Sequence, residues 1–206
     1  PSSKYLSTLS DGTAFPPDGP CYHDCRRTAS AALQRIRQVA TDDPLHVIGV
    51  DLEGTLRVDG VIECIQVAAY LSDGTAVVHV FDIRVDQSSL TGEAYGDGEC
   101  SLRSLLEDPF FVKVFHCGRG DAGILASEFG VLTQNVFDTG VGDCIIRKVK
   151  VGVMRGLRKC CVDYANVDLP LKDDMIHTPE LWRQRPMQKA RFEYAYTDVL
   201  HLRAIY

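Results

Sequence analysis

The spacing of apolar residues predicts one helix and then three strands in the first half of the chain. Five apolar residues recur at helical spacing: Ala31, Ala32, Leu33, Ile36 and Val39. Thr28 precedes them as a candidate N-cap. The segments HVIGVDLEG, VIECIQVAAYL and TAVVHVFDI are apolar and rich in β-branched residues, which is typical of strands. Because short turns join them, we expect an antiparallel meander.

The second half of the chain alternates predicted strands with predicted helices. VKVFHCG and NVFDT are expected to be strands, and each is followed by a helical pattern. Such alternation is typical of parallel strands joined by crossover helices. Residues 156–164 and a last segment containing Ala195, Val199 and Leu202 are also predicted to be helical, whereas the proline-rich segment 169–188 is expected to form loops and turns. The pattern therefore predicts an α/β fold with a mixed five-stranded sheet, three antiparallel strands and then two parallel ones, flanked by helices.

The chain of 206 residues suits one domain with a short extension. Residues 1 to about 27 are rich in Ser, Gly, Pro and Asp and are expected to form an irregular arm. We therefore predict an N-terminal arm and helix over residues 1–43 and a single domain over residues 44–206.

Composition narrows the class of protein. With 45% hydrophobic and 24% charged residues, the chain has the profile of an ordinary folded protein. We expect no membrane-spanning segment, because no apolar run is long enough to cross a bilayer. Eight scattered cysteines suggest a reducing, intracellular location: the cytoplasm, the nucleus or the mitochondrial matrix. Cys21, His23 and Cys25 form one local cluster, but a second ligand pair at zinc spacing is missing, so loop residues are the favoured interpretation.

Charge is unevenly distributed along the chain. The formal net charge is −6, which is not typical of a protein that binds polyanions. Two stretches are nevertheless basic: Arg147, Lys148, Lys150, Arg155, Arg158 and Lys159 in the first, and Arg183, Arg185, Lys189 and Arg191 in the second. Each is consistent either with a solvated surface or with contact to nucleic acid.

Two acidic residues lie close together near the end of the first predicted strand. Side chains alternate across a strand, so Asp51 and Glu53 project from the same face. Two neighbouring carboxylates repel each other, and a hard divalent cation relieves that repulsion by taking oxygen ligands. The alternative is ordinary: Asp51 caps a turn and Glu53 is solvated.

Two further acidic positions border predicted apolar helix faces. Asp121 begins a helix whose next turn contains Ile124 and Leu125, and it is either a helix cap or a site residue. Tyr194 and Asp198 share a face of the last helix at a spacing of four residues, as in a surface pair or in a site that borders the core. The four carboxylates and the phenol together match what two-metal phosphodiester cleavage requires.

The motifs that contain these residues resemble those of RNase D-like 3′→5′ exonucleases, the Tyr-containing DEDDy subgroup of the DEDD superfamily. VDLEG resembles the first exonuclease motif, VFHCGRGDAGILASEFGVLTQNVFDTGV the second and RFEYAYTDVLHL the third. DLPLKDDM followed by RQRPM resembles the stretch before the third motif. The resemblance runs from about His46 to Tyr206 and implies the ribonuclease H-like exonuclease fold.

The resemblance also implies residue roles. Two divalent cations, Mg²⁺ or Mn²⁺, would be held by four residues: Asp51, Glu53, Asp121 and Asp198. Tyr194 would orient the attacking water together with Glu53. The implied activity is metal-dependent removal of nucleoside 5′-monophosphates from the 3′ end of single-stranded RNA.

The resemblance also implies contacts between particular residues and the substrate. The terminal nucleotide would contact Gly54, Thr55 and Leu56. His116 is expected to be a hydrogen-bonded residue of the sheet beside the substrate rather than a catalyst. Relatives often carry Ser, Asn or Asp where this chain has Arg119 and Gly120. That departure affects how the penultimate nucleotide would be held.

Other functions stay open on the sequence. RNA is the favoured substrate because RNase D-like proteins mostly process RNA, and a DNA-trimming exonuclease is the first alternative. A catalytically silent scaffold that binds RNA or protein is the second, although such proteins usually lack one or more of the carboxylates present here. A third alternative is another metal-dependent phosphoester hydrolase. Asp138 is interpreted as a helix-starting residue, and the acidic loop 92–99 is expected to shape the substrate entrance.

Overall fold

A computed structural model describes residues 21–57, 59–91, 100–170 and 179–206 of the chain. Three predictions therefore lie partly or wholly outside the described residues. They concern the irregular arm up to residue 20, the acidic loop 92–99 and residues 171–178 of the proline-rich segment.

A mixed sheet of six strands forms the centre of the molecule, in the order β1-β4-β3-β2-β5-β6. The strands are β1 Cys21–His23, β2 Val47–Thr55, β3 Val61–Tyr70, β4 Ala76–Phe81, β5 Val112–Phe115 and β6 Val136–Asp138. β2, β3 and β4 pair antiparallel, and β5 and β6 add to β2 in parallel, as the sequence predicts.

The number of strands is a correction to the predicted five. β1 pairs parallel to β4 at the edge of the sheet, in the segment that was expected to be an irregular arm. A three-residue strand is too short to show an alternating pattern, so its pairing depends on the neighbouring strand. The division of the chain after residue 43 stays a prediction, and the helix before that point packs into the main core.

Helices cover both faces of the sheet. They are α1 Arg26–Asp42, α2 Ser88–Thr91, α3 Leu102–Leu106, α4 Arg119–Phe129, α5 Thr139–Ile146, α6 Leu157–Cys160, α7 Pro179–Trp182 and α8 Lys189–Leu200. Short helical turns of other types occupy Val151–Val153, Cys161–Ala165 and Leu202–Ile205. The N-cap of α1 is Cys25 rather than the predicted Thr28, whose hydroxyl donates instead to the Cys25 carbonyl at 3.0 Å.

Strand β2 separates two cores because its side chains alternate. Ile48, Val50 and Leu52 join the core beneath α1, and their neighbours along the strand face α8. Gly49 lies on the α8 side, where an added Cβ would be 2.3 Å from the Tyr70 hydroxyl. That hydroxyl donates to the Val199 carbonyl at 2.6 Å, so the absence of a side chain at Gly49 allows α8 to lie against the sheet.

A buried ion pair connects the end of β4 to the segment before α8. Asp82 at the end of β4 is fully buried, and the Arg185 guanidinium donates to its carboxylate at 2.5 and 2.7 Å. The Tyr22 hydroxyl of β1 donates to the same carboxylate. A bidentate arrangement of this kind holds the segment before α8 against the edge of the sheet. Among the described helices, none is long and apolar enough to cross a membrane.

Candidate active site

The carboxylates of Asp51 and Glu53 lie on the α8 side of the central strand. Their register partners on β3 are Gln66 and Cys64. The two side chains are half-buried, whereas the strand that precedes them is fully buried. Neighbouring strands on both sides fix the backbone of β2, so the two residues stay on the same face of the sheet.

A β-bulge follows Glu53 and ends the regular pairing of β2 with β3. Gly54 has a φ of 149°, and an added Cβ would be 2.1 Å from the Val61 carbonyl oxygen. Only glycine fits this position, because a side chain would both strain the backbone and collide with β3. The bulge lies directly beside Glu53 and turns the chain away from the sheet there.

Helix α8 contributes the third carboxylate. Asp198 is 4% exposed, and its oxygen comes within 4.8 Å of ligand atoms from Asp51 and Glu53. Within the described part of the chain, these three residues form the one group of convergent metal-ligating side chains. Oxygen donors that are negatively charged and closely spaced suit a hard divalent cation.

Asp121 lies near this group without belonging to it. It is 5% exposed near the start of α4, where Gly118 rather than Asp121 is the N-cap residue. Burial, and then the charge of Asp51, raise the pKa of Asp121 to about 8. Its Oδ1 is buried without a hydrogen-bond partner among the described residues. A buried carboxylate oxygen of this kind favours the interpretation of Asp121 as a site residue over that of a cap.

A cavity of about 170 Å³ opens beside the three carboxylates. Its lining residues are Asp51, Leu52, Glu53, His116, Leu157, Tyr194, Asp198 and Leu202. The Tyr194 side chain is buried, and its pKa is raised by burial and by the charges of Glu53 and Asp51. The phenol is therefore protonated at neutral pH and can donate a hydrogen bond to a molecule in the cavity.

His116 forms part of the cavity wall and is held by its hydrogen bonds. Nε2 lies 2.9 Å from the Arg155 carbonyl oxygen, and Nδ1 lies 2.8 Å from the Thr139 hydroxyl. With both ring nitrogens engaged, the imidazole has a fixed orientation, as expected for a hydrogen-bonded residue of the sheet.

The predicted nucleotide contacts lie just outside the cavity lining. Gly54, Thr55 and Leu56 follow the bulge and are half-buried. An added Cβ at Gly120 would be 3.2 Å from the Leu56 carbonyl, so this segment lies against the start of α4. Their role as substrate contacts stays a prediction.

Asp138 has the structural role that the sequence indicated. It is the N-cap of α5 and accepts hydrogen bonds from the amides of Gly140 and Val141. The same carboxylate accepts from the amides of Cys117 and Gly118 at 2.9 and 3.0 Å. It thereby connects α5 to the turn between β5 and α4. His116 lies in this turn, and Asp121 lies in the first turn of α4.

Three residues of the cavity wall were absent from the predicted site: Leu52, Leu157 and Leu202. Leu52 lies between the predicted Asp51 and Glu53. Leu202 lies four positions after Asp198 and could have been found by continuing the helical spacing. Leu157 comes from a different part of the chain, and its local sequence carries no comparable signal. The predicted basic stretches are partly neutralised: Arg147 and Arg155 both bind Asp143, and Arg158 binds Asp168.

The cysteine and histidine cluster shows no sign of a zinc site in its described side chains. His23 is buried against His79, whereas Cys25 is exposed. Cys25 makes its hydrogen-bonding contact with Thr28. His23 and Cys25 thus differ in burial. The expected loop is wrong in part, because Cys21–His23 form strand β1.

Comparison with known proteins identifies the class. Residues 24–206 match the family model described as 3′-5′ exonuclease, so the chain belongs to this family of the DEDD superfamily. Ribonuclease D of Granulibacter bethesdensis is 33% identical over 109 residues, which cover 50% of this chain and 24% of the relative. The chain therefore spans about a quarter of the length of this curated relative.

Solved structures show the same fold. Trypanosoma brucei RNase D, solved in complex with RNA U12, matches with a TM-score of 0.69 and 22% identity over 90% of this chain and 60% of that chain. Brucella melitensis NrnC with bound Mg²⁺ matches with a TM-score of 0.56 and 27% identity over 77% of this chain and 69% of that chain. Another structure of NrnC is bound to pGG. The predicted exonuclease fold and the RNase D-like resemblance are thus confirmed.

Proposed function

We propose that this chain is a metal-dependent 3′→5′ exoribonuclease that removes nucleoside 5′-monophosphates from the 3′ end of single-stranded RNA. The convergence of Asp51, Glu53 and Asp198 within 4.8 Å, beside a cavity, is the observation that carries the proposal. Family membership supports it, because the family model describes 3′-5′ exonucleases.

The acidic residues fit two divalent cations, Mg²⁺ or Mn²⁺. Asp51, Glu53 and Asp198 would hold the first, Asp51 would also reach the second, and Asp121 would complete the outer shell. The related NrnC is described with bound Mg²⁺, which supports the choice of metal. When bound, such cations lower the pKa of water and stabilise the charge on the leaving oxygen.

The protein's own side chains would orient the reactants. Tyr194 donates a hydrogen bond to the attacking water, and Glu53 accepts one from it. Water attacks the last phosphorus, the P–O3′ bond breaks, and the 3′ oxygen of the shortened RNA takes up a proton. His116, fixed by Arg155 and Thr139, provides a rigid wall for the terminal nucleotide.

RNA is the substrate that the comparisons favour over DNA. The relative that is 33% identical is a Ribonuclease D. All four acidic residues and Tyr194 are present, which argues against a catalytically silent scaffold.

The test uses RNA labelled at its 5′ end, a matched DNA strand, Mg²⁺ or Mn²⁺, and an EDTA control. We expect a ladder that shortens from the 3′ end of RNA only when metal is present. Asp51→Asn should lower the rate by about a thousandfold, because lost metal stabilisation is worth several kcal/mol. Asp42→Asn, an exposed substitution on α1, is the matched control and should retain the rate. Intact RNA in both metals, with RNA still bound, would instead support the scaffold.

A further inference from the structure

A surface beside the candidate active site combines exposed apolar side chains with basic ones. We call residues 145–154 the basic apolar surface. Ile145 and Ile146 are 70% and 66% exposed, and Val151 and Val153 are 50% and 57% exposed. Contiguous exposed apolar residues on a folded protein mark interaction sites.

Two lysines of this surface carry free positive charge. Lys148 and Lys150 are exposed, and neither has an ion pair within the described ranges of the chain. The neighbouring cations are different, because Arg147 and Arg155 form ion pairs with Asp143, and Lys159 forms one with Asp163. In a chain of net charge −6, a patch with two unpaired lysines attracts an anionic partner.

A buried carboxylate holds the surface in one conformation. Asp143 is 2% exposed and accepts hydrogen bonds from Arg147, Arg155 and the Tyr164 hydroxyl. Arg147 also donates to the Val153 carbonyl at 2.7 Å. These hydrogen bonds connect the backbone at Val153 to α5, and such preorganisation lowers the entropic cost of binding a partner.

The basic apolar surface is continuous with the catalytic cavity. Met154 Sδ lies 3.7 Å from Cys117 Sγ, and Cys117 directly follows His116 in the chain. The backbone carbonyl of the next residue, Arg155, accepts a hydrogen bond from His116 Nε2, and Leu157 lines the cavity itself. A strand that leaves the cavity past His116 would therefore meet Met154 and then the exposed valines.

The cavity is too small to hold more than a small part of a nucleic acid. Its volume of about 170 Å³ is below the roughly 300–1,000 Å³ of pockets that enclose whole drug-sized ligands. We propose that the basic apolar surface binds the RNA strand on the 5′ side of the nucleotide held in the cavity, with Lys148 and Lys150 on its phosphates and the valines against its bases. This inference rests on the proposed function, because the cavity must hold the 3′ end.

Binding without turnover tests this proposal separately from the activity. With Mg²⁺ present and RNAs whose last linkage is a non-hydrolysable analogue, fluorescence anisotropy would measure the affinity for a 12-nucleotide RNA and for a 2-nucleotide RNA over a range of KCl concentrations. For Lys148→Ala/Lys150→Ala, we expect the Kd of the longer RNA to rise by about tenfold relative to that of the shorter one. The slope of log K against log salt should decrease by about 1.4, or about 0.7 for each lost phosphate contact.

The matched control is Arg27→Ala/Arg35→Ala, which removes two exposed positive charges from α1 on the other side of the sheet. It should leave both the ratio of affinities and the salt slope unchanged. Val151→Ser/Val153→Ser should weaken binding of the longer RNA without changing the salt slope, and thermal unfolding would check that each variant is folded.

Two outcomes would overturn the proposal. An unchanged Kd for the longer RNA would show that Lys148 and Lys150 do not contact the strand. Equal weakening of both RNAs, or the same loss in the α1 control, would show a general charge effect. Failure of the proposed function would look different: the binding results would follow the expectation while the nuclease assay showed no shortening.

Discussion

At the scale of single residues, the acidic side chains of β2 are held where they repel each other. Asp51 and Glu53 share a face of a central strand, and Asp198 approaches them from α8. Folding brings the three negative charges together at an energetic cost that bound cations would offset. A site of this kind lowers the free energy of unfolding, and in exchange it provides the ligands for the cations.

Tyr194 is the residue whose role can be separated from metal binding. We expect Tyr194→Phe to lower kcat by about a hundredfold, because the phenol that orients water is lost while the buried ring is kept. The rise in Tm caused by Mg²⁺ should be unchanged, because every carboxylate is still present.

Tyr196→Phe is the matched control for this substitution. It makes the same chemical change two positions later on α8, at a buried tyrosine outside the cavity lining, and should leave kcat within about twofold of the wild type. If Tyr194→Phe retains the wild-type kcat, the Tyr194 phenol does not orient the attacking water.

The structure brings predicted residues together where a residue's position on its own element decides the direction of its side chain. Two-residue spacing on a strand placed Asp51 and Glu53 on one face, and four-residue spacing on a helix placed Tyr194 beside Asp198. Leu157 could not be found in this way. It reaches the cavity only through the packing of α6, which its neighbours in the sequence do not determine.

At the scale of elements, one carboxylate connects the parts of the chain that carry the cavity wall. Asp138 ends β6, caps α5 and accepts two amide hydrogen bonds from the turn after β5. That turn includes Cys117, which has a φ of 59°. The hydrogen bonds to Asp138 stabilise this uncommon backbone conformation and so fix the position of His116.

Removing this carboxylate should be costly. We expect Asp138→Ala to lower the free energy of unfolding by about 3 kcal/mol, because one helix cap and the acceptor for two further amides are lost together. Urea unfolding measures this difference. Ser101→Ala, which removes the N-cap of α3, is the control and should cost about 1 kcal/mol. If the two costs are equal, the contacts of Asp138 with the turn contribute nothing.

At the scale of the whole molecule, the edge of the sheet is held by a buried pair of histidines. His23 on β1 and His79 on β4 are 2.9 Å apart, from Nε2 to Nδ1, on the side that faces α1. Burial lowers the pKa of His23 to about 4 and that of His79 to about 3, the latter with small contributions from His23 and from Arg35 on α1. Both rings are therefore neutral in the folded protein at pH 7.

This pair makes the stability of the fold dependent on pH. In the unfolded chain both histidines have a pKa of about 6.5, so the unfolded state binds more protons below that pH. The contribution of the neutral pair to the free energy of unfolding is therefore fully present above about pH 6.5. It is lost as the pH falls toward 4. We expect the free energy of unfolding to decrease by about 4 kcal/mol between pH 7 and pH 5, about 2 kcal/mol from each histidine.

Urea unfolding of wild type and His79→Gln at several pH values measures this effect. The variant should show a shallower dependence on pH over that range, because one of the two titrating groups is gone. Burial also lowers the pKa of His201, so His201→Gln measures the part of the slope that does not come from the pair. A slope in His79→Gln equal to that of the wild type would contradict the prediction.

The sequence by itself determined the order and type of most elements, the mixed sheet and the acidic residues of the site. These features depend on the periodicity of side chains within one element, which local sequence records. The tertiary structure decided which distant elements meet. It paired β1 with β4, brought Leu157 and the Arg155 carbonyl to His116, and placed the basic apolar surface beside the cavity. Such contacts depend on packing between elements far apart in the chain, and no local pattern encodes them.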